Sequence, residues 1–539
     1  MKRIIGAVLA LCFTGVSSWA ELQLPRVFAD HMVLQRGQDV PLWGTADPGA
    51  EIVAEFAGQK RTAVADKAGK WRVDFQSLEA SAESRVLTVS AGDERIRISD
   101  VLVGEVWLCG GQSNMDFSLN MLKGKARDPQ YEPVAEYLRK EIQSADDPLF
   151  RQFKVGRQVS AYEALSEAAG VWKLAVPGQV QEFSGTGYFF GRELRRELGV
   201  PVALLSCNWG GTLVEPWIPA AGFQASDAMK SYYDEQLSEL KNKAAAWDEA
   251  AVRAKYEKQL AEWKVKADAA EANGKKAPRK PRMAEHPERS NRIPATLYNG
   301  MLHSLVPYGI KGVIWYQGES NRAHYPEAYA ERFSVLIDSW RERFEQDDLY
   351  FYWCQLAKYT DPVEQPVGDE DGWVTVIDAQ RRVTAKPNTG MAVLNDIGEA
   401  KDIHPKNKVD VGRRLSLWAL DQAYGRELVC SGPLYRDSEI RGNKVVVRFD
   451  YAGSGLMAGR KHLLDPAVEV DEPLKRFQIC GADGVWQWAT AEISGPDEVT
   501  VWHADIPQPV EVRYAWAANA EGANLYNREG LPASVFKTR

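Results

Sequence analysis

The run VLVGEVWLCGGQSNM, from Val101 to Met115, decides how this 539-residue chain is read. Its first nine residues are apolar apart from Gly104 and Glu105, the pattern of a strand buried on both faces. The run then meets Gly110-Gly111, which let a backbone turn sharply, and leaves Ser113 at the expected start of a helix. Three later stretches repeat the arrangement. PVALLSC (201–207) precedes Asn208-Trp209-Gly210-Gly211-Thr212, and GVIWY (312–316) precedes Gln317-Gly318-Glu319-Ser320-Asn321. GMAVLND (390–396) precedes Asp402-Ile403-His404-Pro405. With helical-period segments between them, these runs predict an α/β region built on a mainly parallel sheet with flanking helices. In such sheets ligands bind where the strands end.

Outward from this core the pattern changes. Residues 21–99 alternate apolar and polar positions in short runs such as AEIVAEFAG and KWRVDFQSL, separated by turn formers, which predicts a small N-terminal β domain. Residues 100–429 form the α/β domain. After about Cys430 the alternation returns in NKVVVRFDYAG, EVTVWHA and PVEVRYAW, so residues 430–539 read as a second β-rich region, packed alone or joined with the N-terminal strands in a sandwich. Within the α/β domain, residues 226–292 differ. Leu237, Leu240, Ala244, Trp247, Ala251 and Ala254 recur at helical steps, Asn273-Gly274 ends the run, and the basic segment KKAPRKPR follows. This predicts a helical arm inserted into the sheet domain.

Hydrophobic residues make up 45% and charged residues 26%, ordinary globular values that exclude a disordered or multispanning membrane chain. The net charge of -8 argues against a nucleic-acid partner, because phosphate binding calls for excess positive charge. Residues 1–20 read as a secretory signal: Lys2 and Arg3, an apolar run from Ile4 to Val16, and Ser18-Trp19-Ala20 as a small-residue cleavage site. That run falls short of the roughly 20 apolar residues a membrane span needs, so the mature chain is expected to be secreted or periplasmic with no membrane span. Of six cysteines, five lie beyond the signal (Cys109, Cys207, Cys354, Cys430 and Cys480), and none forms a CxxC. A structural metal is therefore not expected, and most of the five read as buried apolar residues.

The four strand ends carry the chemistry. A serine at a helix start is suited to nucleophilic attack, since outward-facing N–H groups favour the negative charge that develops, although serine and asparagine also serve there simply as caps. The glycines at 210 and 211 can offer unhindered N–H donors to an oxyanion, or can merely turn the chain. Gln317 and Asn321 carry side-chain amides, and Glu319 could orient a histidine. Asp402, two residues before His404, can place a carboxylate beside the imidazole, and histidine is the natural general base near neutral pH. Asp396 and Glu399 lie close by in sequence and make an alternative metal cluster conceivable, but the other histidines are isolated.

Taken together, GGQSNM, NWGGTLVEPW, VIWYQGESN and DIHPKNK occur in the order and at the strand ends of the SGNH (GDSL-like) hydrolase superfamily. More narrowly they resemble the sialate O-acetylesterase family, with the likeness spanning most of residues 101–425. The flanking segments VFADHMVLQRG and NREGLPASVF resemble bacterial members too. The resemblance implies an SGNH-like α/β fold with N- and C-terminal β-sandwich-like regions, and a carbohydrate O-acetylesterase acting without metal or organic cofactor on an O-acetylated sugar, a sialic acid or a plant glycan. It implies Ser113 as nucleophile, His404 as base, Asp402 as the acid, and an oxyanion hole of the Ser113 N–H, the Gly211 N–H and Gln317. Glu319, Asn321 and Asn114 are left as substrate contacts or alternative acids. The chain departs from the superfamily in spacing its last block as DxH where DxxH is usual, which keeps Asp396 and Glu319 in contention. In its third block QGESN replaces the usual asparagine. Two rivals remain: an acetylesterase for xylan or another glycan, and a non-catalytic carbohydrate-binding protein, for which an intact serine, histidine and acid set would have no use.

Overall fold

A computed structural model of the chain describes residues 21–126, 128–366 and 371–539, so the signal-sequence reading of residues 1–20 lies outside the described residues. The deciding run belongs to an 18-residue strand, β1 (Glu94–Gly111). Its first half pairs antiparallel with Ser81–Ala91 in the N-terminal sheet. Its second half is the centre of the α/β sheet. The expected boundary between residues 99 and 100 thus falls inside one unbroken strand. What changes there is burial: exposed and covered residues mix up to Asp100, and every position from Val101 to Gly111 is buried.

The remaining strands of the central sheet are β2 (Asp147–Val155), β3 (Gly170–Ala175), β4 (Val202–Asn208), β5 (Gly312–Tyr316), β6 (Tyr350–Cys354) and β7 (Thr389–Ala392). Their order is β7-β6-β5-β1-β4-β2-β3. Neighbours run parallel except β3, which is antiparallel to β2. The chain leaves β1 toward β4 and β2 on one side and later returns to build β5, β6 and β7 on the other. The carboxyl end of β1 is therefore a topological switch point, flanked by the ends of β4 and β5.

Seven helices are the sheet's main flanking helices and the inserted arm: α1 (Ser113–Asp116), α2 (Gly185–Leu198), α3 (Asp227–Ala245), α4 (Glu249–Ala272), α5 (Tyr329–Arg343), α6 (Gly372–Val383) and α7 (Lys408–Trp418). Aromatic contacts show how they layer. Trp107 on β1 stacks on Tyr352 and meets Phe190 of α2 edge-on at 5.0 Å, while Tyr352 stacks on Trp418 of α7. On the opposite face Trp315 meets Trp340 of α5 at 5.6 Å, and Trp353 meets Phe333 at 5.1 Å. Each such ring contributes roughly 1.5 to 3 kcal/mol by leaving water, so these tryptophans hold the layers together rather than face a sugar.

The arm consists of two helices rather than one. The chain breaks at residues 246–248, and the Asp248 carboxylate caps α4 by accepting from Ala251 N at 3.0 Å. The predicted stripe is followed only to the break: Leu240 is buried, whereas Ala251 and Ala254 face solvent, because the turn resets the helix face. In the N-terminal region, Glu51–Phe56 and Gln59–Val64 extend the sheet that β1 enters, and a separate pair, Val40–Thr45 with Lys70–Phe75, packs against it through Phe56 and Phe75. Among the described residues the C-terminal strands pair only with one another, in antiparallel sheets. They dock on the α/β domain through Gln355 to Ser534 Oγ at 2.8 Å and Asn395 to the Ala533 carbonyl at 2.7 Å. The five described cysteines are free and buried.

Candidate active site

Backbone constraints build the site first. Gly111 has φ 130°, and a Cβ there would sit 2.2 Å from the Tyr316 carbonyl oxygen, so only glycine lets β1 turn this close to β5. Gln112 N then donates to Tyr316 O at 2.9 Å, and Ser113 opens α1. From β4, Trp209 N donates to Gly111 O at 3.0 Å, pinning the second glycine turn to the first. A Cβ on Gly210 would come within 3.2 Å of the Ser113 Cβ, so this turn lies directly against the serine. Among the described residues, the backbone N–H groups of Ser113 and Gly211 donate to no protein acceptor.

The fourth strand end supplies the histidine. His404 Nε2 lies 2.9 Å from Ser113 Oγ, and its Nδ1 lies 3.0 Å from Asp402 Oδ1. Three distant stretches of chain thus meet in one hydroxyl–imidazole–carboxylate line. The DxH spacing works because the same Asp402 Oδ1 also accepts from His404 N at 3.0 Å, a tight turn that brings the carboxylate back to the ring. Phe117 packs against the imidazole with ring centres 4.5 Å apart. Burial holds the His404 pKa down to about 4; the neighbouring ammonium groups of Lys125 and Lys408 act in the same direction, against the hydrogen bond that the ring donates to Asp402. Burial alone would raise Asp402. The Lys406 ammonium and the His404 N–H outweigh it and bring the carboxyl to about 2. At neutral pH the line therefore holds a free imidazole beside an ionised carboxylate.

The other candidate acids go elsewhere. Asp396 makes a two-pronged ion pair with Arg414, both contacts 2.7 Å, and Glu399 pairs with Lys406. Glu319 is buried and accepts from Asn114 Nδ2 at 2.5 Å. Gln317 differs from its expected role: both its amide hydrogens are committed, to Thr212 O at 3.1 Å and Asn321 Oδ1 at 2.7 Å. Asn321 is equally engaged, accepting from Val214 N at 3.1 Å and donating to Glu215, whose carboxylate pairs with Arg332. In this arrangement Gln317 and Asn321 fix the loop that carries Gly211 and offer no spare donor. His303 Nδ1 donates to the Leu165 carbonyl, and His324 meets Arg292.

Sequence reasoning missed Lys406 and Lys408. Lys406 Nζ reaches Asp402 Oδ2 at 3.1 Å. Lys408 is fully buried, and its Nζ donates to Asn114 Oδ1 at 2.6 Å and Pro405 O at 2.9 Å. Burial lowers its pKa to about 8. Both lie within DIHPKNK; the signal was two cations spaced to fold back on an acid-histidine turn.

A parallel sheet whose first strand ends in a turn-borne serine, with glycine, polar and histidine loops converging on it, defines an SGNH-type α/β hydrolase. Residues 288–419 match the family described as "Carbohydrate esterase, sialic acid-specific acetylesterase". A carbohydrate acetylesterase from Xanthomonas citri of solved structure is 34% identical, with a TM-score of 0.76, covering 96% of this chain and 99% of that one. The sialate O-acetylesterase of Mus musculus is 26% identical over 94% of this chain and 92% of its own length, and that of Homo sapiens 26% identical over 83% and 80%. The chain belongs to the sialate O-acetylesterase family and is a carboxylic ester hydrolase. No helix among the described residues is long and apolar enough to cross a membrane.

Proposed function

We propose that the protein is an exported carbohydrate O-acetylesterase that removes O-acetyl groups from sialic acid through a serine acetyl-enzyme. The observation that carries this reading is the 2.9 Å contact between Ser113 Oγ and His404 Nε2 at the switch point. His404 takes the hydroxyl proton as Ser113 Oγ attacks the acetyl carbonyl. The carbonyl oxygen becomes negative and is received by the free N–H groups of Ser113 and Gly211. Asp402 stabilises the imidazolium, which then gives its proton to the departing sugar oxygen. A water, deprotonated by His404, attacks the acetyl-enzyme, and the imidazolium returns that proton to Ser113 Oγ as acetate leaves, which restores the serine and the free base.

The sialate substrate is supported by the family match and the mammalian relatives. A second reading, a different acetylated sugar such as xylan, is equally consistent with the 34% identical Xanthomonas citri protein, which carries only the broader description of carbohydrate acetylesterase. Acetate release from O-acetylated sialic acids and acetylated xylan, assayed side by side, separates them. Ser113→Ala should abolish release from whichever is used. Equal rates for the two proteins would remove the serine mechanism, and turnover of xylan alone would replace the sialate reading. Export is tested by fractionating cells that express the full chain; a cytoplasmic product retaining residues 1–20 would overturn it.

A further inference from the structure

Beside the nucleophile lies a cationic surface that the esterase chemistry does not use. Arg157 sits in the loop after β2, with its guanidinium over the ring of Trp209 at 5.6 Å. Trp209 immediately precedes Gly210, which lies against Ser113, and its own N–H is tied to Gly111. Arg157 is also anchored to Asp116, three residues beyond Ser113 in α1. The same Asp116 accepts from Lys154 Nζ at 2.7 Å, and Lys154 reaches on to Asn208 Oδ1 at 2.6 Å. Two cations thus share one carboxylate. Asp116 is nearly covered, with its side chain 9% exposed, whereas that of Arg157 is 48% exposed. The excess positive charge faces solvent, held at two points, by Asp116 three residues past the serine and by Trp209 next to the glycine that lies against it.

We propose that Arg157, braced by Trp209 and Asp116, is the subsite for the carboxylate of an acidic sugar whose acetyl group lies at Ser113. The inference rests on the sialate reading and deepens it. A guanidinium has five N–H donors in a planar fork that matches a carboxylate, and pairing with Asp116 leaves part of that fork free. A cation–ring contact with an indole limits the rotamers open to a long side chain, so less freedom is lost when it grips a ligand. The location also answers a problem of charge. The chain carries a net -8, which repels an anionic substrate in general, and a local cationic rim offsets that repulsion where the substrate must land. A neutral xylan acetate would gain nothing from it.

The test compares acetate release from an O-acetylated N-acetylneuraminic acid and from its carboxamide, which has the same shape without the negative charge. Wild-type enzyme should prefer the acid in kcat/KM, and Arg157→Gln should lower that acid-to-amide ratio about 10- to 100-fold, the loss expected for a hydrogen bond to a charged group. Arg157→Lys keeps the charge without the fork and should recover part of the ratio. A purely structural role would lower both rates together and leave the ratio in place, and that result would overturn the proposal. So would a wild-type ratio near one. A wild-type enzyme that deacetylates xylan and neither sialate derivative would instead remove the sialate reading, and the subsite with it.

Discussion

Asn114 donates through Nδ2 to the Ile403 carbonyl at 3.1 Å, so the residue after the nucleophile grips the residue before the base. The same amide donates to Glu319 and accepts from Lys408, which in turn holds the Pro405 carbonyl. The loops that follow β1 and β7 are therefore locked together by one side chain adjacent in sequence to Ser113. Asn114→Leu keeps the branched side-chain skeleton and removes every hydrogen bond that the Asn114 amide makes. A misplacement of about 1 Å can cost about 100-fold in rate, so kcat should fall on that scale with KM changing much less. Steady-state kinetics on an aryl acetate would read this split, and a kcat within threefold of wild type would show that the tether is dispensable.

The geometry favours Asp402 as the acid, since its Oδ1 lies 3.0 Å from His404 Nδ1 while Asp396 is paired with Arg414, and kinetics should follow. Asp402→Asn removes the acceptor that fixes the His404 tautomer, a change that costs up to about 10⁴ in kcat where such a line operates. Asp396→Asn should act differently. It leaves the buried Arg414 guanidinium short of its partner, so the damage should appear chiefly as a lower urea midpoint. A larger kcat loss in Asp396→Asn than in Asp402→Asn would reverse the assignment.

Much of this site was legible because its four blocks end strands, and strands buried on both faces announce themselves as unbroken apolar runs. Val101 to Ser113 gave both the central strand and the serine. The acid was ambiguous for a physical reason: sequence spacing does not reveal that the turn at Asp402 folds its carboxylate onto both the backbone and the ring of His404. Gln317 was misread because a buried amide looks the same in sequence whether it faces substrate or is spent on Thr212 and Asn321. The boundary near residue 99 was lost because β1 crosses it without a break, and the arm's division at Asp248 was hidden by helix formers on both sides.

The acidity of His404 sets a pH profile. Imidazole must be unprotonated to accept the serine proton, and its pKa is lowered from 6.5 to about 4, first by burial and further by Lys125 and Lys408. The lowered value keeps the neutral form present as pH falls, so kcat/KM should hold through about pH 6 and decline only near pH 4. Lys125→Met removes one positive neighbour and should move this acid limb upward. An acid limb at the ordinary histidine value, unaffected by Lys125→Met, would contradict the buried setting described for the ring.

Lys408 and Glu319 form an ion pair at one remove, since the Asn114 amide stands between them with its nitrogen on the carboxylate and its oxygen on the ammonium. Burial pushes the two in opposite directions, raising Glu319 and lowering Lys408 to about 8, so each charge depends on the other to remain ionised inside the protein. Lys408→Met alone leaves a covered carboxylate uncompensated and should cost about 3 to 5 kcal/mol in urea denaturation. Glu319→Gln alone should be destabilising for the mirror reason. The double variant removes both charges, so its loss should fall short of the sum of the single losses by about 0.5 to 3 kcal/mol. Strict additivity would mean that Asn114 insulates the two groups rather than coupling them, and that Lys408 serves the His404 turn only through its bond to Pro405.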